Sequence, residues 1–170
     1  MPSTSFEPDA ADLIAANRLH FWSSLRWRRT ILGYFAGGAL FAVIGMMFMW
    51  DSSGAAAVAG VIVGFAFWSL VLASILLVNF LLIPMRSRRT FVQQKALQYR
   101  VDVEWSDVGV SLTSEQGKSK FQWRDFLRVE QGKDVILLFQ SEHLFNFIPK
   151  RALSANHAAD FIQKATGRQS

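Results

Sequence analysis

Between Thr30 and Ile83 the chain runs for 54 residues with a single charged side chain, Asp51. A soluble core of this size would carry polar residues at short intervals, because its helices and strands must also face water. The run therefore argues against a wholly soluble protein and predicts a segment embedded in a membrane.

This run contains two stretches that are each long enough to cross a bilayer as a helix. Residues 30–50 would form a helix about 31 Å long, which matches a hydrocarbon core of about 30 Å. Residues 55–83 would reach about 43 Å, so this helix must tilt or continue past the lipid. Only residues 51–54 separate the two stretches, which makes them antiparallel neighbours. The sequence predicts a transmembrane hairpin.

Basic residues flank this hairpin, whereas its short turn contains no Lys or Arg. By the positive-inside rule both termini are cytoplasmic and the turn lies outside. Trp22 and Trp27 suit the inner interfacial belt and Trp50 the outer one. A cleaved signal peptide is not expected, because 29 residues precede the first stretch and a second span follows it. The flanking arginines are Arg26, Arg28, Arg29, Arg86, Arg88 and Arg89.

The net charge of +5 arises next to the membrane. Residues 99–170 alone hold ten basic and nine acidic side chains, so this part has no basic excess of the kind that binds nucleic acid. The chain has no cysteine, which excludes disulfides, cysteine zinc sites and thiol nucleophiles.

The first 29 residues predict a helix, with Pro8, Asp9 and Asp12 suited to its first turn. Two interpretations remain open: the helix lies on the inner leaflet through a modest apolar stripe, or it packs on the C-terminal domain. The stripe comprises Ile14, Phe21, Trp22 and Leu25.

From Tyr99 onwards, apolar and polar residues alternate, which is typical of strands. Turns of two to four residues predict an antiparallel meander, followed by a helix over residues 155–166 with Ser154 as its N-cap and Gly167 at its end. Strands are predicted at residues 101–105, 108–112, 120–124, 127–130, 135–140 and 143–148. The predicted core comprises Phe121, Trp123, Val135, Leu137, Phe145, Phe147, Phe161 and Ile162, and the buried stripe of the helix also includes Ala158 and Ala165.

Residues 121–126 (FQWRDF) and 147–153 (FIPKRAL) resemble the YcxB-like family of small bacterial membrane proteins. In that family a Trp opens the middle strand, and an "IPKRAF"-type stretch joins the last strand to the helix. Leu153 stands here in place of the usual aromatic residue. Residues 12–21 also resemble the helix that precedes the membrane in that family. The resemblance implies a pleckstrin-homology-like (PH-like) cytoplasmic domain on a bacterial inner-membrane protein, and it implies no chemistry.

The fold class is thus membrane α+β: a two-helix transmembrane hairpin followed by a PH-like antiparallel sheet domain with one C-terminal helix. The expected segments are an amphipathic helix (1–29), the hairpin (30–83), a basic juxtamembrane linker (84–98) and the PH-like domain (99–170). His20, His143 and His157 lack metal-ligand spacing. We expect no metal, no cofactor and no enzymatic activity.

Two G-x-x-x-G motifs lie in the hairpin, Gly33 with Gly37 and Gly60 with Gly64. Such spacing lets helix backbones approach closely, and packing within the hairpin is the plain interpretation. The motifs lie at different depths, so one of them is a candidate for a homodimer contact. Trp68 falls mid-span, where its indole N–H needs an acceptor. With no charge in this helix, polar contacts between helices are favoured over a solute pathway.

Eight basic residues are candidates for contact with anionic lipid headgroups, each contributing on the order of 1 kcal/mol near such a surface. Lys118, Lys120 and Arg124 are expected to share one strand face. In the alternative, those on the sheet simply face water, and Lys150 and Arg151 belong to a solvated turn or pair with Asp125 or Glu130. The candidates are Arg86, Arg88, Arg89, Lys118, Lys120, Arg124, Lys150 and Arg151.

These observations predict a non-enzymatic bacterial inner-membrane protein whose PH-like domain binds a cytoplasmic protein, or its own copy, as a scaffold or regulator. One alternative is a sensor that binds anionic lipid. The other is an accessory subunit of a larger membrane transporter or enzyme. The expected partners are membrane lipids and a cytoplasmic or membrane protein, with a homodimer as one option and no nucleic acid.

Overall fold

The computed structural model describes residues 2–25, 27–48 and 54–167. Within them the chain divides into two compact units, residues 23–82 and the two flanking segments up to Trp22 and from Ile83. Short 3₁₀ helices occupy Lys95–Gln98, Trp123–Asp125 and Lys150–Ala152. The other elements are β1 (Ser3–Phe6), α1 (Ala10–Ser24), α2 (Trp27–Phe48), α3 (Gly54–Gln93), β2 (Val101–Trp105), β3 (Gly109–Ser114), β4 (Gly117–Gln122), β5 (Arg128–Gln131), β6 (Val135–Phe139), β7 (Phe145–Pro149) and α4 (Ala155–Thr166).

Among the described residues, two helices are long and apolar enough to cross a membrane, Thr30–Phe48 within α2 and the whole of α3. Large apolar side chains on them are exposed, as at Leu32 and Phe48, because the hairpin has too few partners to bury them. Trp50 and the predicted turn residues 51–53 lie outside the described residues.

Helix α3 continues well beyond the predicted end of the second span at Ile83. It passes through Pro84 and ends at Gln93, so most of the predicted linker 84–98 is helical. Its 40 residues give a length of about 60 Å. Ser87, one turn after the proline, is buried and accepts a hydrogen bond from Asn17 of α1. The contact lies next to the point where the proline removes a backbone hydrogen bond of the helix.

The predicted meander is divided into two antiparallel sheets, in the orders β1-β2-β3-β4 and β5-β6-β7. Strand β1 had been predicted as part of a helix, and that prediction is wrong. Thr4 stands opposite Val103 in β2, and its hydroxyl donates to the carbonyl of Ala152. A four-residue strand is too short to show a period of two in the sequence.

The main core lies between the two sheets and α4. Trp105, Trp123 and Phe161 are at most 1% exposed, and both indoles meet the Phe161 ring edge to face. Helix α4 has the predicted bounds, and the Ser154 hydroxyl accepts from the backbone N–H of His157 as N-cap. Of the predicted stripe, Phe161 and Ala165 are buried, and Ala158 and Ile162 pack against the core at its margin.

A second core cluster joins α1 to β6. Ala16 is fully buried against Val135, Leu137 and Phe139, while Ile136 and Leu138 of the same strand face the main core. Strand β6 is therefore covered on both faces. Of the two interpretations of the N-terminal helix, the structure shows the one in which it packs on the C-terminal domain.

The buried residues of α1 differ from the predicted apolar stripe. They are Asp12, Leu13 and Ala16, whereas Trp22 is 62% exposed. The predicted stripe consists of large apolar side chains. The close packing of α1 on β6 instead uses a small residue, Ala16.

Candidate functional site

Polar contacts bind the two helices of the hairpin to each other. The indole N–H of Trp68 donates to the carbonyl of Tyr34 at 2.9 Å, which confirms the prediction that it needs an acceptor. The hydroxyls of Tyr34 and Ser69 lie 2.8 Å apart. Ser74 and Asn79 bond carbonyls of their own helix. The polar groups are thus satisfied by the hairpin itself.

Three of the four predicted packing glycines lie against the opposite helix of the same hairpin. A methyl group at Gly37 would clash with the Trp68 ring, one at Gly60 with the Gly45 backbone, and one at Gly64 with the Phe41 backbone. At Gly33 the space within 4 Å is open. The two motifs do not face each other, and Gly45 is the partner that the sequence analysis missed.

Three exposed arginines follow the second span, Arg86, Arg88 and Arg89. None of them forms an ion pair or hydrogen bond with a residue that the structure describes. They lie on the α3 extension, around Ser87, whose hydroxyl accepts from the Asn17 side chain at 2.9 Å. Their charges are therefore available to an anion from outside.

Arg151, by contrast, is engaged within the protein. Its guanidinium donates to both carboxylate oxygens of Asp12, at 3.1 and 2.6 Å, and to the carbonyl of Glu7 at 2.8 Å. The side-chain hydrogen bond to Asp12 raises the pKa of Arg151. The expected partners Asp125 and Glu130 are not the ones it uses, because α1 brings Asp12 and Asp9 to it. The neighbouring Lys150 is half-buried.

The outer face of the four-stranded sheet is polar throughout. Opposite pairs across its strands bring Glu104, Ser111 and Lys120 into one row, and Asp102, Thr113 and Lys118 into the next. The Lys118 ammonium lies 3.9 Å from the Glu104 carboxylate. A shallow cavity of about 430 Å³ on this face is lined by Glu104, Ser111, Lys118, Lys120, Gln122 and Asp125, among others.

Arg124 does not lie on the strand face of Lys118 and Lys120, so the prediction that the three residues share this face is wrong. Strand β4 ends at Gln122, and Arg124 sits in the 3₁₀ turn that follows. This turn is closed by a capping box in which the Gln122 backbone N–H donates to Asp125 at 3.0 Å. The strand alternation on which the prediction relied stops at that point.

The histidines are spread over the domain. His20 packs against the rings of Phe139 and Phe145, and burial, followed by the nearby Arg128, lowers its pKa. His157 meets Trp105 edge to face. Among the described residues, no three His, Asp or Glu side chains are gathered as they would be around a metal ion.

A model of the family described as YcxB-like protein matches residues 105–165. This segment is similar to the domain of that family. No curated protein and no solved structure matches the chain. The matched segment runs from Trp105 at the end of β2 to Ala165 in α4. Strand β1 and helix α1 lie outside it, although they complete the first sheet and cover β6.

The contribution of the N-terminal residues to the C-terminal domain was not predicted. The run VILLF of β6 carried the relevant signal, because a strand without polar residues is covered on both faces. Asp9 and Asp12 carried another: the backbone N–H of each bonds the side chain of the other, at 3.1 and 2.7 Å. Such a reciprocal pair fixes a helix start.

Proposed function

We propose that this protein is a non-enzymatic, two-span protein of the bacterial inner membrane that presents a PH-like interaction domain to the cytoplasm. The domain would hold a protein partner at the membrane surface as a scaffold or regulator. Two small antiparallel sheets, with the C-terminal helix α4 packed on the core between them, support the PH-like assignment.

The main support for this proposal is that the domain is built from two segments of the chain, one before the hairpin and one after it. Residues up to Trp22 and from Ile83 belong to one unit, and two membrane-length helices lie between them. A chain that crosses the bilayer twice between two parts of one domain must begin and end on the same side. The arginines around the spans favour the cytoplasmic side.

Both segments that leave the hairpin are fastened to the domain. Asn17 bonds Ser87, Asp12 pairs with Arg151, and Ala16 packs on β6. A domain tethered at two points has little freedom to leave the bilayer, which suits the capture of a soluble partner at the membrane.

Purification of the full-length protein in mild detergent, with mass spectrometry of the retained proteins, tests this proposal. We expect a stoichiometric soluble partner. The matched variant Ala16→Trp has no room for its side chain against β6, so it disturbs the domain and leaves the hairpin unchanged. Loss of the partner in this variant supports the proposal, and a partner retained equally by both proteins argues that the hairpin binds it.

A second candidate function, binding of anionic lipid, is favoured by Arg86, Arg88 and Arg89, none of which pairs with a residue that the structure describes. The triple variant to Gln should retain less anionic phospholipid than the native protein in native mass spectrometry of mixed-lipid nanodiscs. The control variant Lys118→Gln should match the native protein, because Lys118 already lies beside Glu104. Equal retention by all three proteins contradicts lipid binding at the arginines. Among the described residues, Gly37, Gly60 and Gly64 pack within the hairpin and so do not support the accessory-subunit alternative.

A further inference from the structure

Strand β4 is an edge of the four-stranded sheet. The residues from Gly117 to Lys120 are all exposed. An exposed edge strand presents backbone N–H and C=O groups that another extended segment can bond.

The register shows which backbone groups of β4 are available. Ser114 stands opposite Gly117 across a two-residue turn, and such a turn closes with a hydrogen-bonded pair. Because bonded and outward-pointing residues alternate, Ser119 and Phe121 bond β3, and Lys118 and Lys120 point their N–H and C=O groups away from it. Two flanking contacts agree with this phase. The Gln122 N–H is taken by Asp125, and the Trp123 N–H returns to the carbonyl of Val108.

The charges along this edge select the kind of segment that fits it. Lys120 and Arg124 form no ion pair with any described residue. The nearby acids are already engaged, Glu104 beside Lys118 and Asp125 on the Gln122 N–H. A second copy of β4 would place lysine against lysine, which is destabilising across a strand pair. An acidic segment would instead place carboxylates beside Lys120 and Arg124.

We propose that the β4 edge binds an extended acidic segment of a cytoplasmic protein, which adds to the sheet as a fifth strand through the backbone groups of Lys118 and Lys120. The inference rests on the proposed function and names its partner chemistry. Alternate acidic side chains of the added strand lie on the polar face beside Lys118 and Lys120, above the 430 Å³ cavity.

The test uses the full-length protein in nanodiscs and a twelve-residue synthetic peptide of alternating Glu and Val. We expect the peptide to slow hydrogen exchange at the amides of Lys118 and Lys120 at least tenfold, and to bind more weakly as salt is added. A matched peptide of alternating Lys and Val should not bind. No protection by the Glu peptide would overturn the proposal and leave the lysines as a shield against aggregation.

A pair of variants separates backbone pairing from charge. Lys120→Pro removes an outward N–H and no bond to β3, a position where an edge strand tolerates proline, and should abolish peptide binding. Lys120→Gln keeps the N–H and should bind several-fold more weakly than the native protein. Equal binding by the proline variant and the native protein refutes the site. Hydrogen exchange at the amides of Ser119 and Phe121 reports whether the proline variant keeps the β3–β4 pairing. If it does not, the double variant K118Q/K120Q takes its place, and we expect this variant to bind the Glu peptide at least fivefold more weakly than the native protein.

Failure of this inference is distinguishable from failure of the proposed function. If the native protein retains no partner in detergent, the proposed function fails. If it retains a partner that Lys120→Pro also retains, and the peptide leaves the β4 amides unprotected, the interaction domain stands and the β4 edge is not its binding surface.

Discussion

Replacing Asp12 by alanine should release helix α1 from the C-terminal domain. The Asp12 side chain is only 9% exposed and receives two hydrogen bonds from Arg151 and one from the backbone of Asp9. Hydrogen bonds to charged groups contribute about 1.5–3 kcal/mol, but Arg151 is 52% exposed and regains part of the loss from water. We expect the free energy of opening α1 to fall by about 2 kcal/mol, equivalent to exchange about 30-fold faster.

Hydrogen exchange of the α1 amides in nanodiscs measures this change directly. The matched control is Asp102→Ala, which removes the Arg100–Asp102 pair between side chains that are 62% and 58% exposed. Such a pair contributes about 0–1 kcal/mol, so α1 exchange should not change. A double-mutant cycle with Arg151→Ala isolates the pair itself. Native exchange rates in the Asp12→Ala protein would refute the reasoning that this ion pair fastens α1.

Three further outcomes are expected. Gly60→Leu should separate the hairpin helices, because its side chain would collide with Gly45, whereas Gly33→Leu should be tolerated; equal cross-linking of α2 to α3 in both variants would contradict this packing. Burial lowers the pKa of His20 in the folded state from its ordinary 6.5. The free energy of unfolding should therefore be independent of His20 protonation above pH 6.5 and should decline as the pH falls below that value. A His20→Phe variant whose unfolding midpoint falls as steeply from pH 7 to 5 would exclude His20 as the cause. Gly109→Ala should lower the unfolding midpoint, since its methyl group would strike the Phe121 carbonyl; an unchanged midpoint would contradict that close approach.

The parts of the fold that follow from local pattern were predictable. A long uncharged run specifies a membrane-length helix by composition alone, and α4 is specified by Ser154 as its N-cap and by apolar spacing of three and four residues. The strands β2 to β5 and β7 follow from alternation and turn residues, and β6 follows from a short apolar run between turns. Each of these signals lies within the element that it specifies.

What could not be predicted depends on residues far apart in the sequence. Strand β1 exists because β2 offers it an edge, about a hundred residues later in the chain. Helix α3 continues past Pro84, and its Ser87 meets Asn17, 70 residues earlier in the chain. Arg151 pairs with Asp12, and nothing in the local sequence around it indicates that partner. The candidate site was therefore predicted as a list of cations, without the contacts that separate engaged from available ones.

The central claim is that both ends of the chain form one domain on the cytoplasmic side of a two-span membrane protein. The absence of cysteine allows single cysteines to be placed at Ser3 in β1, at Glu115 in the β3–β4 turn and at Ser52 in the predicted outer turn. In intact cells, a membrane-impermeant maleimide should label only the cysteine at position 52, and the other two should react only after the membrane is opened. Labelling of position 3 or position 115 in intact cells would contradict the account.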